Sequence, residues 1–357
     1  MAVNITTGDL TEHGQIVEAS DGLCYAIFIN SSGDLCVYDD VFGSIALGDS
    51  NTPTVVHGSG ATIVRVAATI DSADLIHIVS AAEDAYIRDI AYATYNIGTS
   101  TIGTWEEAAA YDQVPNTGLH QVEIDIDGSD YPWICYEDAA KVHGSTYHHG
   151  MLVEKTSGSW STPEVVDSPN QSSYNVHFAV GTGGESHYIW PVASNYDYRT
   201  RTAGGSWGTI NLYSSVIPDA SELLISCVTV TSGGTVYRYW IRRNTTTDFL
   251  LRENNSTIFS SPMVHDTYRV MSATAVADDT RYAVYIEESR DVYVARNTGS
   301  GWTSLGSVES GSYSRVWTAR NFNNPPTCLN YLFSEGTNVY AGQQYCPTAR
   351  RIFITHV

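Results

Sequence analysis

The chain has almost no lysine. Lys141 and Lys155 are the only two among 18 basic residues, set against 39 acidic ones, and the formal charge is −21. That balance argues against nucleic acid as a general partner, because a phosphate backbone demands a basic surface. Helical periodicity is scarce too: the best stretch, Trp105–Ala110, is too short to stand as a helix. No run approaches ~18 apolar residues, so no membrane span is expected. The first residues, MAVNITTGDL, have neither a basic segment nor an apolar core, and no secretory leader is read there. The six cysteines (Cys24, Cys36, Cys135, Cys227, Cys328 and Cys346) show no CxxC spacing, which removes a common zinc signature. Most fall in expected strands, where a buried thiol is the ordinary outcome.

What is abundant is Gly, Ser, Thr and Tyr, with only 16% of residues charged, a composition that suits an extracellular-type β protein. With no leader visible, the expected location is extracellular or on a virion released by lysis. The stretch Gly118 to Pro169 shows how the β segments are organised. His120–Asp125 turns at Asp127-Gly128-Ser129-Asp130 into Tyr131–Tyr136; a loop with His143, His148 and His149 leads to Met151–Glu154; the turn Thr156-Ser157-Gly158 opens a fourth strand at Trp160. Four strands in about 50 residues cannot bury both faces of their sheet alone, so the unit must stack on copies of itself.

Copies are present. Gly103-Thr104-Trp105, Gly158-Ser159-Trp160, Gly205-Ser206-Trp207 and Ser300-Gly301-Trp302 recur at similar intervals, the last about double, with Ile258-Phe259-Ser260-Ser261-Pro262 standing halfway. The first hairpin of the unit recurs around Asp21-Gly22, Asp71–Asp74, Thr182-Gly183-Gly184, Ser232-Gly233-Gly234, Asp278-Asp279 and Asn323-Asn324-Pro325. The pattern predicts an all-β fold, a seven-bladed β-propeller of four-stranded antiparallel blades. As one domain over 1–357, its blades lie at about 13–57, 62–115, 118–169, 173–217, 221–264, 267–310 and 314–350. The β-type runs Val3–Thr6 and Ile352–His356 are expected to close the ring together.

Ligand sites in such rings lie where the innermost strands begin. Strand starts and second-to-third loops place nine basic residues on that one face: Arg65, Arg88, Lys141, Arg199, Arg242, Arg243, Arg269, Arg290 and Arg315. Arginine grips carboxylate or sulfate with two donors at once. The expected ligand is therefore an anionic polysaccharide or a cell-surface glycan, bound by Arg65, His177, Tyr196, Arg269 and Arg315, with aromatic rings supplying flat apolar surface. Other virion proteins are the remaining expected partners.

The segments HQVEIDIDGSDYPWICYED and GSWSTPEVV resemble blades of the BNR-like, sialidase-type propellers of polysaccharide-active enzymes and phage proteins. Within that group the chain is similar to the seven-bladed ulvan lyases. The resemblance implies two histidines on one blade, matched by His120 and His143, and a Tyr and an Arg on the next, matched by Tyr174 or Tyr188 and Arg199. It would make the chemistry a β-elimination at a uronate: an arginine neutralises the carboxylate, a His or Tyr takes the C5 proton, and a second group protonates the leaving oxygen. A hydrolase would instead need a facing carboxylate pair; Glu137, Asp138 and Glu222 are available but unpaired by spacing.

No cofactor is expected. Asp125-Ile126-Asp127-Gly128-Ser129-Asp130 looks like a fragment of a calcium loop, but the closing bidentate Glu has no counterpart, and a hairpin turn is the reading preferred over structural calcium. His148-His149 is read as a solvated loop pair rather than a zinc site. A protein-interaction scaffold is the remaining functional class; it predicts an exposed apolar patch.

Overall fold

The structure, a computed structural model, describes residues 2–7, 14–30, 33–42, 54–57, 62–83, 89–110, 121–138, 149–167, 176–192, 195–213, 226–231, 233–243, 249–254, 256–261, 271–287, 289–313, 315–319, 326–335 and 338–344. They form seven small antiparallel sheets, with no helix among the described residues. The seven-bladed β-propeller expected from the repeats is the fold.

From the inside outward, blade 1 is Gly14–Glu18, Cys24–Ile29, Leu35–Tyr38 and Thr54–His57. Blade 2 is Thr62–Ile70, Leu75–Glu83, Asp89–Asn96 and Glu106–Ala110; blade 3 is Val122–Ile126, Pro132–Asp138 and His149–Thr156, edged by Ser159–Trp160 and Glu164–Val165. Blade 4 is His177–Val180, Ser186–Val192, Asn195–Arg201 and Asn211–Tyr213; blade 5 is Ser226–Val230, Val236–Arg243, Phe249–Glu253 and Ser256–Ser261. Blade 6 is Met271–Ala275, Arg281–Ile286, Val292–Asn297 and Trp302–Glu309. Blade 7 takes three strands late in the chain, Arg315–Thr318, Leu329–Glu335 and Asn338–Gln344, and its outer strand, Ala2–Thr7, from the beginning. The segment Ile352–His356 lies outside the described residues.

The first hairpin repeats because its turn chemistry repeats. In six blades the turn closes with the same two backbone bonds, as in Asp71 N–H to the Leu75 carbonyl and Asp74 N–H to the Asp71 carbonyl. The fourth turn residue has positive φ: Gly22, Asp74, Asp130, Gly184, Gly234 and Asp279. Glycine, or a short Asp, is what that conformation admits. Each aspartate there can also reach sideways. Asp74 accepts the Ser20 N–H (2.7 Å) and hydroxyl (2.5 Å) of blade 1, and Asp130 accepts the same pair from Ser72 of blade 2 (3.2 and 2.5 Å).

Every inner strand touches the next round the ring, blade 7 back to blade 1 included. An inner strand has an open edge whose N–H and C=O groups need partners. Side chains of the neighbouring blade supply several. Glu123 and Asp125 of blade 3 accept the N–H groups of Phe178 (3.1 Å) and Val180 (2.9 Å) in blade 4. Thr274 of blade 6 and Gln15 of blade 1 donate to the Ala319 (2.6 Å) and Thr318 (2.9 Å) carbonyls of blade 7. The core itself lies in the seams, as clusters shared by adjacent blades; Met271, Tyr285, Val316 and Phe333 of blades 6 and 7 form part of one.

Candidate functional site

His120, His143, Tyr174 and Arg269 lie outside the described residues, as do Arg88, Lys141, His148 and Glu222. Arg315 opens the inner strand of blade 7. Arg65 sits near the start of the inner strand of blade 2, half-buried. His177 begins the inner strand of blade 4, where its Nδ1 lies 2.6 Å from Glu123 Oε1 and its side chain is buried. Gln121 donates to the same Glu123 oxygen at 2.8 Å.

Tyr188 and Arg199 do come together, but inside a seam. They are cross-strand partners in blade 4, and both pack on Trp207, with ring centroids at 5.4 Å for Tyr188 and the guanidinium 4.6 Å above the indole for Arg199. Tyr188 is fully buried, stacked on Phe178, and donates to Ser186 Oγ. Burial drives its phenol well above the ordinary value, the wrong direction for a base at neutral pH. Arg199 donates to the Gly208 and Val166 carbonyls at 2.9 and 3.0 Å. The third strand begins at Asn195, so Arg199 lies well inside it rather than in the loop where spacing had put it. Tyr196 is fully buried too, against Trp240.

The carboxylates of the supposed calcium fragment have other work. Asp127 accepts the Ser129 and Tyr131 N–H groups of its own turn, Asp130 holds Ser72, and Asp125 holds Val180 and Ile126. Glu137 and Asp138 are neighbours on one strand and so point to opposite faces, which rules them out as the facing pair of a hydrolase.

His149 overturns the solvated-loop reading. It opens the third strand of blade 3, is 0% exposed, and meets Asp167 at 2.9 Å through Nδ1. Asp138 is its cross-strand partner on the other side, so carboxylate, imidazole and carboxylate form one buried row at the mouth end of the blade. Burial raises the Asp167 carboxyl to about 6, although His149 and the Gly150 N–H pull it down. The hairpin register at Lys155 and Trp160 counts to Val166 opposite His149; a one-residue shift before Leu152 and Glu164 brings Asp167 there instead, which spacing alone does not reveal.

Sequence reasoning also missed what the tryptophan turns do. Three of the four donate the indole N–H to a glutamate of the preceding blade: Trp160 to Glu106 (3.0 Å), Trp207 to Glu164 (2.9 Å) and Trp302 to Glu253 (3.2 Å). The same glutamate holds a cation of the later blade, namely Lys155, Arg201 (3.0 Å) and Arg281 (2.8 Å) respectively. Arg201 also reaches Glu154 at 3.2 Å; burial pulls its guanidinium down, but the two glutamates more than offset this.

Lysine and arginine, though not the carboxylates, are divided along the ring axis: Glu137, Asp138, Asp167, Glu287, Asp291 and Glu335 stand at the mouth end. The first-hairpin turns carry Asp21, Asp71, Asp74, Asp127, Asp130, Glu185, Asp278 and Asp279 and, among the described residues, neither Lys nor Arg. Lys155, Arg201 and Arg281 at that end are neutralised within the seams. At the opposite end, strand bounds put Arg65, Arg242, Arg243 and Arg315 at or near strand termini, and Arg290 in the turn after Ile286 at a φ of 69°.

No family model matches the chain, and no curated protein sequence matches it. Solved structures with the same fold exist. The polysaccharide lyase Uly1 is 11% identical, with a TM-score of 0.54 over 94% of this chain and 91% of that one. The six-bladed fucose-recognising lectin of Aleuria aurantia is 11% identical, with a TM-score of 0.52 over 86% and 98%. BBS1N, solved in complex with ARL6DN, is 8% identical, with a TM-score of 0.56 over 98% and 96%. At such identities the likeness defines the class as β-propeller and goes no further.

Proposed function

We propose that the chain is a glycan-recognition propeller that binds an anionic polysaccharide or cell-surface glycan at the mouth where the inner strands begin. The observation that carries this reading is where the arginines stand: residues of blades 2, 5, 6 and 7 lie at the end where the inner strands begin, in a protein whose net charge is −21. Arginine at those strand ends suits carboxylate or sulfate groups spaced along a sugar chain. Propellers that recognise fucose and that cleave polysaccharide share this architecture, which supports the ligand class. The resemblance of the blade motifs to BNR-like propellers supports a virion role, as a receptor-binding or fibre-associated protein.

The lyase reading ranks second. Its support is the His120 and His143 pair; against it, Tyr188 and Arg199 are held in packing. The scaffold reading ranks third, since among the described residues Tyr131 and Leu212 are the large hydrophobics left exposed, and they sit on different blades.

A panel of acidic polysaccharides and a glycan array test all three readings. Binding that is lost in Arg315→Ala and weakened by salt, with no rise in the ultraviolet absorbance of unsaturated uronate, is the expected result. Release of unsaturated product, abolished by His120→Ala or His143→Ala, would make the protein a lyase. Neither binding nor product across the panel would leave the scaffold.

A further inference from the structure

The seam between blades 4 and 5 departs from its neighbours. Arg238, on the second strand of blade 5, is 9% exposed and faces blade 4. Its guanidinium lies 4.7 Å from the Tyr198 ring centroid and shares a hydrogen bond with Tyr213, which is stacked at 4.2 Å on Tyr198 and at 4.3 Å on Trp240. One terminal nitrogen stands 3.4 Å from Nδ1 of His187, itself 9% exposed. No ion pair to Arg238 exists among the described residues, and neither Arg238 Nε nor His187 Nε2 has a hydrogen-bond partner. The adjoining seams place Glu164 and Glu253 against their buried arginines.

A guanidinium out of water with only rings and an imidazole around it is a costly arrangement unless a negative charge joins it. His187 cannot supply that charge. Burial, with Arg238 beside it, pushes its imidazole down to about 3, so it is neutral at physiological pH and offers Nε2–H as a donor whenever Nδ1 accepts. We propose that Arg238 and His187 form a binding site for a small inorganic anion of the size of chloride, which takes the place that glutamate holds in the neighbouring seams. The donors are Arg238 Nε–H and the Tyr213 hydroxyl, with His187, its Nδ1 toward a terminal nitrogen of Arg238, as a neutral wall beside them. The depth of the site excludes a sugar sulfate or uronate, so this site is separate from the glycan mouth and does not depend on it.

Thermal unfolding at constant ionic strength, with sodium chloride exchanged for sodium gluconate at pH 8, tests the proposal. The wild-type midpoint should climb by about 2–3 °C for each tenfold increase in chloride above the dissociation constant. Arg238→Met should abolish that slope, and Lys155→Met should keep it. A wild-type protein indifferent to chloride, or an equal slope in wild type and Arg238→Met, overturns the site. Should Arg238→Met fail to fold, crystals of the wild type grown in bromide decide the matter. An anomalous peak within about 3.5 Å of the Arg238 guanidinium supports the site, and a clean seam overturns it.

Discussion

Blade 5 has one arginine seam on each side, and the two solve the same problem differently. Toward blade 6, Glu253 gathers four donors: Arg281 Nε at 2.8 Å, a second Arg281 nitrogen at 3.4 Å, the Tyr239 hydroxyl at 3.0 Å and the Trp302 indole at 3.2 Å. Toward blade 4, Arg238 is just as deeply buried but meets Tyr198, Tyr213 and His187 instead. The first seam carries its own counter-charge in the chain; the second has none among the described residues. Neighbouring blades thus repeat the backbone plan without repeating the electrostatics.

The largest effect expected from this contrast is a difference in sign. Glu253→Leu strands a buried guanidinium and an indole N–H, and should cost about 3–5 kcal/mol in denaturant melts. Arg238→Met in chloride-free gluconate removes a desolvated charge that has no carboxylate partner among the described residues, and should leave stability within about 1 kcal/mol of wild type or raise it. Similar losses in the two variants would erase the distinction between the seams.

Asp167 extends the contrast to a buried acid. Its carboxyl is raised from 3.8 to about 6, chiefly by burial, so folding favours the protonated form. The resulting contribution to stability is complete below about pH 4 and is lost as pH rises through about 6, a change of about 2–3 kcal/mol. Asp167→Asn should flatten that part of the stability profile, because an amide can still accept from Gly150 N–H and donate to His149. The measurement is Tm against pH for both proteins; parallel profiles would show that His149 keeps Asp167 ionised throughout.

Much of this architecture was legible beforehand, and the reason is physical. The tryptophan turns and the Asp/Gly turns recur because each performs a backbone or seam task that every blade must perform, so their spacing revealed the ring. The partners of those turns were not legible. Glu106, Glu164 and Glu253 come from different strands, fourth in two blades and third in the other, so no fixed spacing marks them. Tyr196 and Arg199 were read as site residues because Tyr and Arg suit glycans, and Tyr188, with Arg199 again, because the resemblance to the ulvan lyases implied a Tyr and an Arg on this blade. The same residue types also suit seams, where a ring and a cation stack. Side-chain type could not separate the two uses, and a shift of a few residues in a strand boundary moved Arg199 from a loop into a strand.

A smaller effect tests how closely the turns of adjacent blades fit. Ser20 and Ser72 hold the aspartate of the next blade, whereas the equivalent residue in blade 3 is Gly128, and the next blade there has Gly184 in place of the aspartate. A Cβ on Gly128 would lie 2.2 Å from the Thr182 carbonyl oxygen, a backbone atom that cannot swing aside. Gly128→Ala should therefore cost about 1–3 kcal/mol by overpacking. At Gly158, where φ is 88° and no atom lies within 4 Å, alanine should cost only the left-handed strain of about 1–2 kcal/mol. Equal costs would mean that the turn of blade 4 yields.

The smallest effect concerns Asp74, which joins two opposing terms. Its φ of 61° is strained for a residue with a side chain, yet that side chain accepts two bonds from Ser20 across the first seam. Ser20→Ala removes only the hydroxyl bond at an exposed site and should cost about 0.5–1 kcal/mol. Asp74→Gly removes both bonds but relieves the strain, and should come out within about 0.5 kcal/mol of wild type. Blades 4 and 5 already have that composition, with Gly184 and Gly234 at this position. A double-mutant cycle on Ser20 and Asp74 separates the terms. A coupling near zero would mean that the aspartates of blades 2 and 3 serve only their own turns and that the stitch between blades contributes nothing.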